Sequence, residues 1–96
     1  MEYYILKYKL ISTYLEERGK YRNEHLKLAE IAAEDGSLVL GGAMEDPVDE
    51  ALLVFRAKSE EAVKSFAEND PYVRNGLIEK WEVRKWKVVI GSCFDG

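Results

Sequence analysis

Histidine occurs once in this chain, at His25, cysteine once, at Cys93, and proline twice, at Pro47 and Pro71. Each scarcity removes a class of explanation. A single thiol allows no internal disulfide and no zinc–thiolate cage. Its place in the terminal segment Gly91–Gly96 argues against a catalytic cysteine. One histidine with scattered carboxylates falls short of the three protein ligands of a catalytic zinc site, so no metal is expected. A glycine-rich phosphate loop is missing too, since Gly41-Gly42 lies in or beside a strand, where it signals a bulge or a close backbone approach. No apolar run approaches the ~20 residues that cross a bilayer. The alternating start Met1–Leu10 lacks the unbroken apolar core of a signal peptide. The expectation is a cytoplasmic protein with no membrane partner.

Positive charge is also in deficit: 14 Lys and Arg face 18 Asp and Glu, for a net charge of −4. A nucleic-acid binder draws most of its affinity from neutralising phosphates and carries a basic footprint. The only cationic cluster, Lys80–Lys87, is diluted by Glu79 and Glu82 and reads as a solvated strand edge. With few glycines and prolines, disorder is expected only at the ends. Ninety-six residues make one domain, taken here as 1–90 with a flexible tail at 91–96. So short a chain buries only roughly 60–70% of its unfolded surface, so stability leans toward an oligomer interface.

Residues 3–10 read as a first strand. Tyr14–Glu34 carries the 3.6-residue helical pattern, with a break near Gly19, and stops at Asp35-Gly36. Ser37–Met44 and Ala51–Ala57 are strands joined by the turn-forming Glu45–Asp49. Ser59-Glu-Glu-Ala62 opens a helix with acid in its first turn. That helix runs to Asn69, and Asp70-Pro71-Tyr72 breaks it before a last strand, Ile78–Ile90. The order βαββαβ is the ferredoxin-like α+β arrangement, a four-stranded antiparallel sheet with two helices on one face. A half-wet sheet should alternate apolar and polar residues. Here Leu38/Leu40 and Val39/Ala43 fall on opposite faces, as do Leu52/Val54 and Leu53/Phe55, and Ile5 opposes Tyr4, Leu6 and Tyr8. Both faces read as buried, and two helices cover only one. A second copy packed sheet on sheet is the simplest cover, which predicts a homodimer through the open sheet face.

His25 sits at the centre of an apolar stripe, with Tyr21, Leu28, Ala29 and Ala32 within about 60° of it at 100° per residue. Imidazole titrates near neutrality, at ~6.5 when unperturbed. A core histidine bonded to backbone is the plain reading; an acid–base group is the functional one. Arg22 lies about 60° away on the same helix. Both helices pack on one sheet face, so Asp70 can approach His25. A carboxylate bonded to one ring nitrogen fixes the tautomer and leaves the other nitrogen as a base. Asp70 before Pro71 is equally a good N-cap for the turn Pro71–Gly76; the two roles are compatible.

These residues resemble the YCII-like family. The matching segments are Tyr3-Tyr4-Ile5, Arg22-x-x-His25-Leu26, Asp35-Gly36-x-Leu38 with Gly41-Gly42, and Ala67-x-x-Asp70-Pro71-Tyr72-Val73-x-x-Gly76, followed by Trp81-x-Val83-x-x-Trp86. The likeness runs from Tyr3 to about Val89. Departures are a shorter segment between strands two and three and the lack of a proline at Lys85. The resemblance implies a dimeric α/β barrel and an active-site pair that maps onto His25 and Asp70; some relatives are linked to elimination chemistry on small chlorinated aromatic metabolites. It therefore implies a cofactor-free lyase or isomerase with His25 as general acid or base, Asp70 as its orienter and Arg22 as a contact for a carboxylate or phenolate. Tyr72 and Tyr8 are candidate walls or hydroxyl donors, and also plausible core residues. Asp35 is a second carboxylate, though Asp-Gly at a helix end is usually a turn. Related barrels bind haem through a lone histidine, but an aspartate partner favours acid–base use. The alternatives are a non-catalytic module binding a small ligand, and a dimer in which the His–Asp bond only ties two helices.

Overall fold

The computed structural model describes residues 1–94. Alternation along Glu2–Leu10 makes it β1, with Tyr4, Leu6, Tyr8 and Leu10 all buried on one side. The following helical stretch is split into α1 (Tyr14–Glu17), a tight 3₁₀ turn (Arg18–Lys20) and α2 (Arg22–Glu34). The interruption falls at Gly19, the residue of lowest helix propensity in that run. Helix α2 ends at Asp35, and Gly36 takes the left-handed conformation (φ 88°) that a glycine adopts without penalty.

Strands β2 (Leu38–Ala43) and β3 (Glu50–Ala57) follow, then α3 (Glu60–Asn69), the one-turn α4 (Pro71–Arg74) and β4 (Ile78–Trp86). The sheet is antiparallel in the order β2-β3-β1-β4, which is the ferredoxin-like α+β arrangement. The cationic stretch of β4 lies on a sheet edge, as its composition suggests. In α3, Val63, Phe66 and Ala67 recur at helical spacing and are buried against the sheet, where Phe66 meets Phe55 edge to face. Among the described residues no helix is long and apolar enough to cross a membrane.

Two sequence readings are corrected. The pairing of β2 with β3 shifts between Leu38 and Leu40, so Val39 is an extra residue on β2. Leu38 and Leu40 therefore face opposite sides: Leu38, opposite Phe55, packs against the core, whereas Leu40, opposite Val54, is 63% exposed. The last strand also stops at Trp86 instead of Ile90. Trp86 pairs with Tyr3, one residue from the start of β1, so the chain beyond has no partner strand, and Val89 and Ile90 stand exposed.

The second sheet face is not buried within one chain. Ile5, Leu52 and Val54 are half-covered there, and Trp86, in register with Tyr3, is 45% exposed. Of the segment expected as a tail, Asp95 and Gly96 lie outside the described residues, Cys93 is exposed, and Phe94 packs edge-on against Tyr3.

Leu6, on a central strand with no exposed surface, anchors this layer. Leu6→Ala should lower unfolding stability by about 2–5 kcal/mol. Leu40→Ala, on the uncovered face, should change the stability of the single chain by no more than about 0.5 kcal/mol. Urea unfolding of both variants checks the contrast.

Candidate active site

Among the described residues Asp70 is the one charged residue with no exposed surface. Burying a carboxylate is costly unless its oxygens are bonded. Here they are. Oδ2 accepts from the Tyr8 hydroxyl at 2.7 Å, and Oδ1 takes both His25 Nδ1 at 2.8 Å and the Tyr72 backbone N–H at 3.0 Å. The last of these is the N-cap of α4, with Pro71 at its first position, so the cap and the histidine partner are one carboxylate acting in both roles.

Local sequence explains why these groups meet. Alternation on β1 turns Tyr8 toward the helices, and the stripe on α2 turns His25 toward the sheet. The extended backbone that Asp70 adopts before Pro71 (φ −70°, ψ 122°) ends α3 and delivers the carboxylate between them. An ionised carboxylate only accepts, so Nδ1 of His25 carries the proton and Nε2 is left with a lone pair in the neutral ring. The imidazole is held a second way, stacked on the Tyr72 ring at 4.0 Å between centroids and 14° between planes. Tyr14 meets Tyr72 edge-on at 5.5 Å, and the Arg18 guanidinium lies 5.7 Å from the centre of the Tyr14 ring.

His25 lines a hollow of about 240 Å³ between α2 and the β2 side of the sheet. Strands β2 and β3 line it with the small residues Gly41, Gly42, Ala43 and Ala51 beside Leu38 and Leu53, and Arg22 and Tyr72 line it as well. Gly41 faces Leu53, and a Cβ there would approach the Leu53 side chain to 3.2 Å, so the close approach expected of this glycine is real. Tyr8 is a core residue that also lines the hollow while bonding Asp70. Burial and the adjacent Asp70 carboxylate push its phenol far above the ordinary tyrosine range, so it stays a donor. Burial likewise raises Tyr72, with Tyr14 adding to the effect and Arg22 opposing it.

Asp35 is elsewhere. It closes the end of α2 by accepting the Ser37 N–H at 2.8 Å, and the bonds from Ser37 hold its carboxyl below the usual range. Among the described residues no three His, Cys, Asp or Glu side chains group as a metal site. Sequence reasoning passed over Tyr14 and Arg18, both on the hollow's wall. The signal was available: at 100° per residue, Tyr14, Arg18 and His25 fall within about 40° of one another.

A family model, the YCII-related domain, matches residues 1–87. Among solved structures, 5-chloro-2-hydroxyhydroquinone dehydrochlorinase from Burkholderia phenoliruptrix AC1100, in complex with 2,5-dihydroxybenzoquinone, is similar with a TM-score of 0.75 and 25% identity, covering 88% of this chain and 93% of that one. Protein Atu4242 from Agrobacterium tumefaciens is similar in fold, with a TM-score of 0.60 and 20% identity over 93% of this chain and 94% of that one. No curated protein matches the chain.

The Tyr8–Asp70 bond predicts an alkaline limit to stability. An unfolded tyrosine ionises from about pH 10, whereas folded Tyr8 keeps its proton. The unfolded state then binds fewer protons, so this contribution is complete below about pH 10 and is lost as pH rises beyond it. Tyr8→Phe should cost about 1.5–3 kcal/mol at neutral pH, because it strips a donor from a buried charge. It should also lose less stability than wild type on moving to alkaline pH, as urea unfolding across the range would record.

Proposed function

The chain belongs to the YCII-related domain family, and on that footing we propose that it is a cofactor-free lyase or isomerase acting on a small cyclic metabolite. The observation that carries this reading is the 2.8 Å contact between His25 Nδ1 and buried Asp70 beside the hollow. His25 Nε2 takes a proton from the substrate, and Asp70 stabilises the imidazolium that forms. In an elimination, the electron pair of the broken C–H or O–H bond moves into the ring system and expels the leaving group with its own pair. In an isomerisation, the same imidazolium returns the proton to another atom. In this reading Arg22, which lines the hollow, steadies a carboxylate or phenolate. Similarity to a dehydrochlorinase seen with a dihydroxybenzoquinone supports the substrate class.

A first test measures chloride release from 5-chloro-2-hydroxyhydroquinone, followed by a panel of hydroxylated single-ring compounds. His25→Ala should keep its fold and lose about 10²–10⁴-fold in turnover. A variant that unfolds instead would make the pair structural. A wild-type protein that binds such compounds without turning any over would be a binding module.

We also propose a homodimer through the uncovered sheet face, supported by Leu40 and Trp86 exposed there beside half-covered Ile5, Leu52 and Val54. Sedimentation should give twice the 11.0 kDa chain mass. Trp86→Glu should return it toward the single-chain value, because a buried unpaired charge opposes association.

A further inference from the structure

The two oxygens of Asp70 are served unequally. Oδ1 is shared by His25 Nδ1 and the Tyr72 N–H, whereas Oδ2 is bonded by the Tyr8 hydroxyl alone among the described residues. Without Tyr8, one oxygen of a carboxylate that has no exposed surface would face the interior bare. Tyr8 is only 1% exposed, and its proton is committed to Oδ2 at 2.7 Å, so the hydroxyl is not open to a ring in the hollow. The sequence-based expectation of a donor to substrate therefore gives way to a different role. Burial and the carboxylate keep that phenol protonated far beyond the range in which a histidine titrates, which makes it a fixed donor.

We propose that Tyr8 is a positioning residue that acts through Asp70: its bond to Oδ2 holds the carboxylate in its anionic, accepting form and so sets how strongly the His25–Asp70 pair holds a proton. The proposal rests on the reading of His25 as the base and adds a residue that never meets the substrate. Its logic is electrostatic. Unprotonated, the pair carries one negative charge, centred on Asp70; with one proton it is neutral as a whole. A donor on Oδ2 stabilises the first state more than the second, wherever that proton resides between the two residues. Removing the donor therefore raises the pair's affinity for a proton, and strengthening it lowers that affinity. A pair that holds its proton too tightly is a base already occupied at neutral pH, and one that holds it too weakly abstracts poorly. The other ionisable side chains around the hollow are Tyr14, Arg18, Arg22 and Tyr72, from α1, the turn after it, α2 and α4. Strands β2 and β3 line it with non-titrating side chains, and α3 and β4 turn apolar ones inward. None of those four side chains hydrogen-bonds Asp70, which leaves Tyr8 as the group with direct hold on Oδ2.

The test follows the ring signals of the single histidine by NMR across pH, in wild type, in Tyr8→Phe, and in a chain with 3-fluorotyrosine in place of Tyr8, whose more acidic phenol is a stronger donor. Tyr8→Phe should raise the pair's midpoint by about one pH unit, a tenfold gain in proton affinity. The fluorinated phenol should lower it. Tyr4→Phe removes a hydroxyl from the same buried face of β1, where nothing bonds Asp70, and should leave the midpoint in place. In turnover, the acid limb of kcat/KM should move upward with the midpoint in Tyr8→Phe, whereas a merely structural loss scales the profile without moving it. An unmoved or lowered midpoint in folded Tyr8→Phe, or shifts of one direction in both chains altered at Tyr8, overturns the proposal. If Tyr8→Phe fails to fold, the fluorinated chain decides alone: a lowered midpoint upholds the assignment, and an unmoved or raised one overturns it. The titrations need no substrate, so failure of the catalytic reading shows separately, as unchanged turnover in His25→Ala.

Discussion

The buried carboxylate of Asp70 is the constraint to which the surrounding elements are fitted. A charge with no solvent access is tolerable only with its lone pairs engaged, and each donor comes from a different element: Tyr8 from β1, His25 from α2 and the Tyr72 N–H from α4. Losing any one would leave a buried ion short of a partner, so the three elements are tied together at this point. The same bonds fix the histidine's tautomer and the direction of its free nitrogen. Stability and, in the proposed reaction, proton transfer thus depend on one set of contacts.

Tyr72 contributes twice over. Its backbone caps the turn through Asp70, and its ring stacks on the imidazole that Asp70 bonds. A ring held by a hydrogen bond on its edge and by stacking on its face has little freedom left. In the proposed role, preorganisation of that kind lets the imidazole act as a base without first being ordered.

Much of this was legible from residues alone. Alternation in β1 and the inner face of β3 placed Tyr8, Leu53 and Phe55 correctly, and the stripe around His25 turned it inward. Asp70 before proline was legible as a cap and as an acid partner, and geometry joined the two roles. What escaped were features set by neighbours rather than by local pattern. The extra residue at Val39 reverses Leu40, and nothing in Leu-Val-Leu announces a bulge. The strand after Trp86 fails because β1 runs out, although Val88, Val89 and Ile90 are strong strand formers. Tyr14 and Arg18 line the hollow from the segment before the interruption at Gly19. Helical spacing hinted at their shared face, but only packing shows what that face lines.

Edge strand β2 supplies Gly41, Gly42 and Ala43 to the hollow and no donor to Asp70. This part of the wall is therefore separate from the bonds that satisfy Asp70 and orient His25. Residues at Gly42 and Ala43 on β2 could be exchanged, narrowing the space, without touching the His25–Asp70 contact, whereas Gly41 is held small by Leu53. The shape of the hollow can therefore drift while the bonds to Asp70 stay as they are, which makes β2 the strand on which cavity shape is most freely varied.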